Sequence, residues 1–117
     1  MAEIKTQEFP VLILGAGRGG SALLEMFLDE SMVKVIAIAD VNQDSPGIKL
    51  ARSQGIPAYA DVIEAIKVSQ NFPGCVVYNL TQDDTISKTA VSLFSKIKVT
   101  EGTEAKLLWQ MVTNMNA

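Results

Sequence analysis

At 117 residues the chain has room for one compact domain and little else. A composition of 48% hydrophobic and 20% charged residues excludes a disordered chain, and a formal net charge of −3 without a Lys/Arg cluster argues against nucleic-acid binding. The lone cysteine, Cys75, excludes an internal disulfide. The absence of histidine removes the commonest general base and the commonest metal ligand, and no metal is expected. The opening MAEIKTQEF carries no signal-peptide apolar stretch, and no apolar run approaches the roughly 20 residues of a membrane span, so a cytoplasmic protein is expected.

In chain order, the run Val11 to Leu14, bounded by Pro10 and Gly15, is apolar on both faces and suits a central parallel strand. Ala22, Leu23, Met26 and Phe27 then recur at helical spacing, which predicts a helix over about Gly19 to Glu30. Val33 to Ala39 reads as a second strand ending at Asp40. Asp44 or Ser45 is placed to cap the next helix, with Pro46 in its first turn and Gly55 closing it. Ile56 to Ala60 is a weaker strand, and Asp61 with Glu64 has the spacing of a capping box for a helix through Val68.

Asn71, Pro73 and Gly74 mark a turn before a fourth strand, Cys75 to Leu80. Cys75 itself reads as a small buried hydrophobe. Asp83 or Asp84 caps the helix that follows, Ile97 to Val99 is a short fifth strand, and Thr103 to about Asn114 a last helix. Alternating strands and helices with right-handed crossovers predict an α/β domain: a doubly wound parallel sheet of about five strands in the order 3-2-1-4-5, helices on both faces. Residues 1–117 are expected to form this single domain.

The chemistry concentrates in VLILGAGRGG, where Gly15, Gly17 and Gly20 fit G-x-G-x-x-G between a strand and a helix. Gly15 permits the tight turn, Gly17 leaves room for backbone amides to approach a pyrophosphate, and Gly20 lets the helix pack against the strand. Ala16, Arg18 and Gly19 complete the loop, and the helix N-terminus adds unpaired N–H groups and partial positive charge. Arg18 either neutralises a phosphate or points into solvent. Asp40, about 25 residues after Gly15, is placed to accept both ribose hydroxyls of an adenosine, or else caps a turn. Such a carboxylate repels a 2′-phosphate, and no arginine follows in Val41, Asn42 and Gln43, which favours NAD over NADP. Val41 and Asn42 are expected near the adenine. Asn79 and Thr81, after the fourth strand, either bond the second ribose or serve as ordinary loop polar groups.

The segments ILGAGRGGSALLEMF, VIAIADVN and IKLARSQGIPAYAD resemble the cofactor domains of homoserine dehydrogenase and Gfo/Idh/MocA-type oxidoreductases. The whole chain resembles more closely the small NAD-binding Rossmann domains attached to bacterial signalling proteins, through GAGRGG, ADVNQDSPGIKLARSQGIP and EGTEAKLLWQMV. The resemblance implies a Rossmann fold and an NAD cofactor. The dehydrogenases it evokes carry a second domain with a proton-transferring lysine or histidine, and this chain ends where that domain would begin. Lys88, Lys96, Lys98 and Lys106 remain as candidates, all on segments where a solvated lysine is the default.

Three readings follow: an NAD(H)-binding or sensing module, the cofactor half of an oxidoreductase with its substrate domain elsewhere, and a coenzyme A-binding domain. The last helix, with Leu107, Leu108, Trp109, Met111, Val112 and Met115, is more apolar than one packed face requires. A homodimer or docking contact through Trp109 and Met115 is therefore expected.

Overall fold

The computed structural model describes residues 8–94 and 97–101. Its five strands are β1 (Phe9–Leu14), β2 (Val33–Ala39), β3 (Ala58–Tyr59), β4 (Val76–Asn79) and β5 (Lys98–Glu101). They pair in parallel as β3-β2-β1-β4-β5, the expected order. Between them run α1 (Arg18–Leu28), α2 (Pro46–Ser53), α3 (Val62–Ser69) and α4 (Asp84–Leu93). The predicted helix from Thr103, with its docking residues Trp109 and Met115, lies outside the described residues.

β1 is the central strand of a sheet covered on both faces. From β1, Val11 and Ile13 join Leu23, Leu24 and Phe27 of α1 and Ile48 and Ala51 of α2 in one cluster. Leu12 and Leu14 join Ala65 and Ile66 of α3 and Ala90 of α4 in the other. Both sides of Val11 to Leu14 are therefore dry, which is why this stretch is an unbroken apolar run. The β1–β2 register shifts between Val11 and Leu12, whose partners are Val35 and Ala37. Ile36 is skipped there, and it joins the same cluster as Ala37.

Helix boundaries depart from the expected ones by a residue or two, because caps decide them. The helix predicted over Gly19 to Glu30 starts one residue earlier, behind Gly17 as N-cap, and ends at Leu28. Ser45, not Asp44, is the N-cap of α2, and its hydroxyl makes no capping bond. Asp61 accepts from the Ile63 and Glu64 amides to open α3, and Asp83 accepts from Thr85 to open α4. Gly55 and Gly74 both take positive φ, at 72° and 78°, where they end helix and turn. The third strand is two residues, shorter than Ile56 to Ala60, because only Ala58 and Tyr59 pair with β2. The fifth is displaced from Ile97–Val99 to Lys98–Glu101, in register with all of β4.

Cys75 is buried at 8% exposure, and that burial pushes its thiol up to about 11. Such a thiol behaves as core rather than as a nucleophile. Among the described residues, no helix is long and apolar enough to cross a membrane.

Candidate functional site

The chain runs outward from β1 to β2 and β3, then crosses back to β4 on the other side of β1. The carboxyl ends of β1 and β4 thus flank the point where winding reverses, the place where open α/β sheets leave a crevice. Gly15 leaves β1 with φ of 95°, and its amide donates to the Ala39 carbonyl at 2.8 Å. A Cβ on Gly15 would lie 2.8 Å from the Leu80 carbonyl carbon, so the loop touches the segment leaving β4 backbone to backbone. A Cβ on Gly20 would sit 1.8 Å from the Gly15 carbonyl oxygen. The first glycine makes the turn, and the third lets α1 lie on it.

Gly17 differs from both. Nothing lies within 4 Å of where its Cβ would be, and its φ is −73°. Neither packing nor backbone conformation requires glycine there, and the residue faces open space. The first intrahelical bond runs from Ser21 N–H to the Gly17 carbonyl at 2.8 Å. The N–H groups of Arg18, Gly19 and Gly20 therefore precede any intrahelical partner. Arg18, the first helical residue, is exposed and makes no ion pair among the described residues.

The carboxylate at the end of β2 turns into this loop. Asp40 Oδ2 accepts the Ala16 N–H at 2.7 Å, and Oδ1 accepts the Asn42 N–H at 2.8 Å. Asp40 is part-buried, and each oxygen keeps capacity for another donor. Asn42 is exposed and turns its Oδ1 back to the Asp44 amide at 3.0 Å, while Val41 stands 82% exposed beside them.

Asn79 and Thr81 occupy the opposite wall. Asn79 is 1% exposed; its amide donates to the Asp83 carbonyl and the Ser87 hydroxyl, both at 3.0 Å. Its Oδ1 accepts the Thr81 N–H at 3.1 Å and the Thr81 hydroxyl at 2.5 Å. These groups are engaged within the β4–α4 turn, which they brace together with Asp83. Of the lysine candidates, Lys88 is solvent-exposed on α4 and faces Asp84 at 3.8 Å. Lys96 and Lys106 lie outside the described residues.

Three contributors escaped the sequence reading. Gly47 of α2 donates its N–H to the Ala16 carbonyl at 2.8 Å. The Gln43 amide donates to the Asp40 and Tyr59 carbonyls at 2.6 and 3.3 Å, tying the ends of β2 and β3. Arg52 donates to Gln43 Oε1 at 2.6 Å, which brings a cation beside the β2 edge from nine positions along the chain. A glycine directly after Pro46, inside a helix, was the available signal for the first. The other two have none, since their partners meet only across the fold.

The phosphoribosylglycinamide formyltransferase of Coxiella burnetii, solved with CHES, superposes with a TM-score of 0.52 at 15% identity, covering 81% of this chain and 51% of that one. The fold is Rossmann-like. The apo scyllo-inositol dehydrogenase of Lactobacillus casei matches at a TM-score of 0.46 and 15% identity, covering 85% of this chain and 37% of its own. This chain therefore spans about half the length of the first protein and less of the second. No family model and no curated protein matches the sequence.

Proposed function

We propose that this domain binds NAD(H), with the diphosphate over Gly17 at the start of α1 and the adenosine ribose against Asp40. One observation carries the reading: the 2.7 Å bond from Ala16 N–H to Asp40 Oδ2, which brings the glycine loop and the acidic residue into one site. Orphan amides at a helix start suit an anion, and a carboxylate at the end of the second strand suits a ribose diol. Gly17 and Gly19 leave the approach clear, and Arg18 reaches a phosphate from the first turn. Val41 offers an apolar surface to the adenine, beside Asn42. Asn79 and Thr81 hold the wall nearest Gly15, under the nicotinamide half.

These groups bind and orient; the ones assigned to the diphosphate and ribose are backbone donors, the Arg18 guanidinium and one carboxylate already shared between two amides. The role that suits them is a nucleotide-binding or sensing module. Isothermal titration against NAD, NADH, NADP, AMP and coenzyme A tests it. NAD or NADH is expected to bind in the micromolar range, with NADP weaker because Asp40 opposes a 2′-phosphate. Tighter binding of NADP would shift the reading to Arg52 as a 2′-phosphate ligand. Tighter binding of coenzyme A, or no binding of any of the five near millimolar concentration, would overturn it.

A further inference from the structure

We infer that Gly47 of α2 is a positioning residue for the diphosphate: it sets the direction of the Gly17 N–H without touching the nucleotide. The inference rests on the NAD(H)-binding reading and extends it to a helix outside the glycine loop.

The peptide planes on either side of Ala16 are each held by one bond. The plane before it is fixed by Ala16 N–H donating to Asp40 Oδ2 at 2.7 Å. The plane after it is fixed by the Ala16 carbonyl accepting the Gly47 N–H at 2.8 Å. Ala16 is itself fully buried, so these two bonds leave it little freedom. A trans peptide is planar, and its C=O and N–H point in opposite directions. The Ala16 carbonyl points at α2; the Gly17 N–H of the same plane therefore points away from α2, on the side where Gly17 is exposed. Among the described residues that N–H meets no acceptor.

Glycine at position 47 is required by the approach and not by the backbone, since its φ lies outside the left-handed range. A Cβ there would stand 2.8 Å from the Ala16 carbonyl oxygen, 2.9 Å from its Cβ and 3.0 Å from its Cα. Two of these three atoms are backbone, so the strain of any added methyl falls on the loop. Moving the Ala16 carbonyl aside rotates the shared plane and swings the Gly17 N–H off its line. The backbone of Asp40 stays where it is, because Gln43 and Tyr59 of β3 hold it, and its Oδ1 keeps the Asn42 N–H on the side away from Ala16.

The test compares Gly47→Ala with wild type in binding ADP, adenosine and NAD, by calorimetry for the nucleotides and by amide-shift titration for adenosine. ADP and NAD affinity are expected to fall about tenfold or more, with adenosine affinity within about twofold of wild type. Equal losses for ADP and adenosine would mean general damage and overturn the inference, as would unchanged ADP binding. If the variant does not fold, the wild-type protein decides: the Gly17 amide resonance should move with ADP and stay with adenosine, and a Gly17 resonance indifferent to ADP overturns the assignment. Wild-type protein that binds neither ADP nor NAD would instead sink the nucleotide reading itself.

Discussion

Asp40 Oδ2 holds the amide of Ala16 at 2.7 Å, across 24 residues of sequence. The carboxylate that would grip a ribose is thus also a structural brace of the phosphate loop. Asp40→Ala is expected to act twice. With Ala16 fully buried, its N–H loses a charged acceptor, which costs about 1–3 kcal/mol of stability. NAD affinity should fall about tenfold or more, equivalent to about 1.4 kcal/mol. Thermal melts and calorimetry read the two effects separately. A variant that keeps its melting temperature would contradict the brace, and one that keeps its affinity would contradict the ribose contact.

The three glycines of the loop should respond differently to alanine. Gly20→Ala forces a methyl to 1.8 Å from the Gly15 carbonyl oxygen, and Gly15→Ala adds a left-handed φ of 95° to a 2.8 Å clash with Leu80. Each is expected to cost about 3 kcal/mol or more, by overpacking and strain. Gly17→Ala meets open space and should cost less than about 1 kcal/mol, the difference between glycine and alanine at an N-cap. It should nevertheless weaken NAD binding severalfold, because the methyl occupies the diphosphate's approach. Denaturant midpoints for the three variants, set beside their affinities, check the pattern. Equal stability losses would remove the distinction.

The architecture and most of the loop were legible because each rests on local chemistry. Aliphatic runs mark Val11 to Leu14 of β1 and Val35 to Ala39 of β2. Asp61 caps where its spacing predicts, Asp83 is the one of two expected acids that caps α4, and the glycines at positions 15 and 20 prove sterically necessary. Asp40 was legible as an acid at the end of a strand, but its bond to Ala16 was not, since a carboxylate's second partner depends on how the loop returns. Asn79 shows the same limit. Its place at the end of β4 left a ribose contact and an ordinary loop role both open, and its burial and its bonds to Thr81, Asp83 and Ser87 add a bracing role that only the turn's path creates. Gly47 has a sequence signal only in following Pro46, because its approach to Ala16 depends on how α2 packs against the loop.

Gln82 carries a φ of 66° in the β4–α4 turn, the left-handed region that favours glycine. The residue is exposed, so its side chain contributes no packing that offsets this cost. Gln82→Gly is expected to stabilise the domain by about 0.5–1 kcal/mol, the strain relieved exceeding the entropy gained by the unfolded chain. The measurement is the denaturant midpoint at unchanged slope. A midpoint that falls would show that Gln82 makes a compensating contact.

Asp83 ties the stability of α4 to pH. Hydrogen bonds from the Thr85 hydroxyl and then the Thr85 backbone N–H hold its carboxyl below the usual aspartate range. The folded state therefore releases this proton at lower pH than the unfolded state does. Its contribution is complete above the unfolded value, near 3.8, and is lost as pH falls through the lower folded value. Melting temperatures of wild type and Asp83→Ala should differ by a constant amount from pH 7 to about 5 and converge below about 4. Other carboxylates titrate in both proteins and cancel in the difference. A gap that persists unchanged to pH 2 would show that the cap works without its charge.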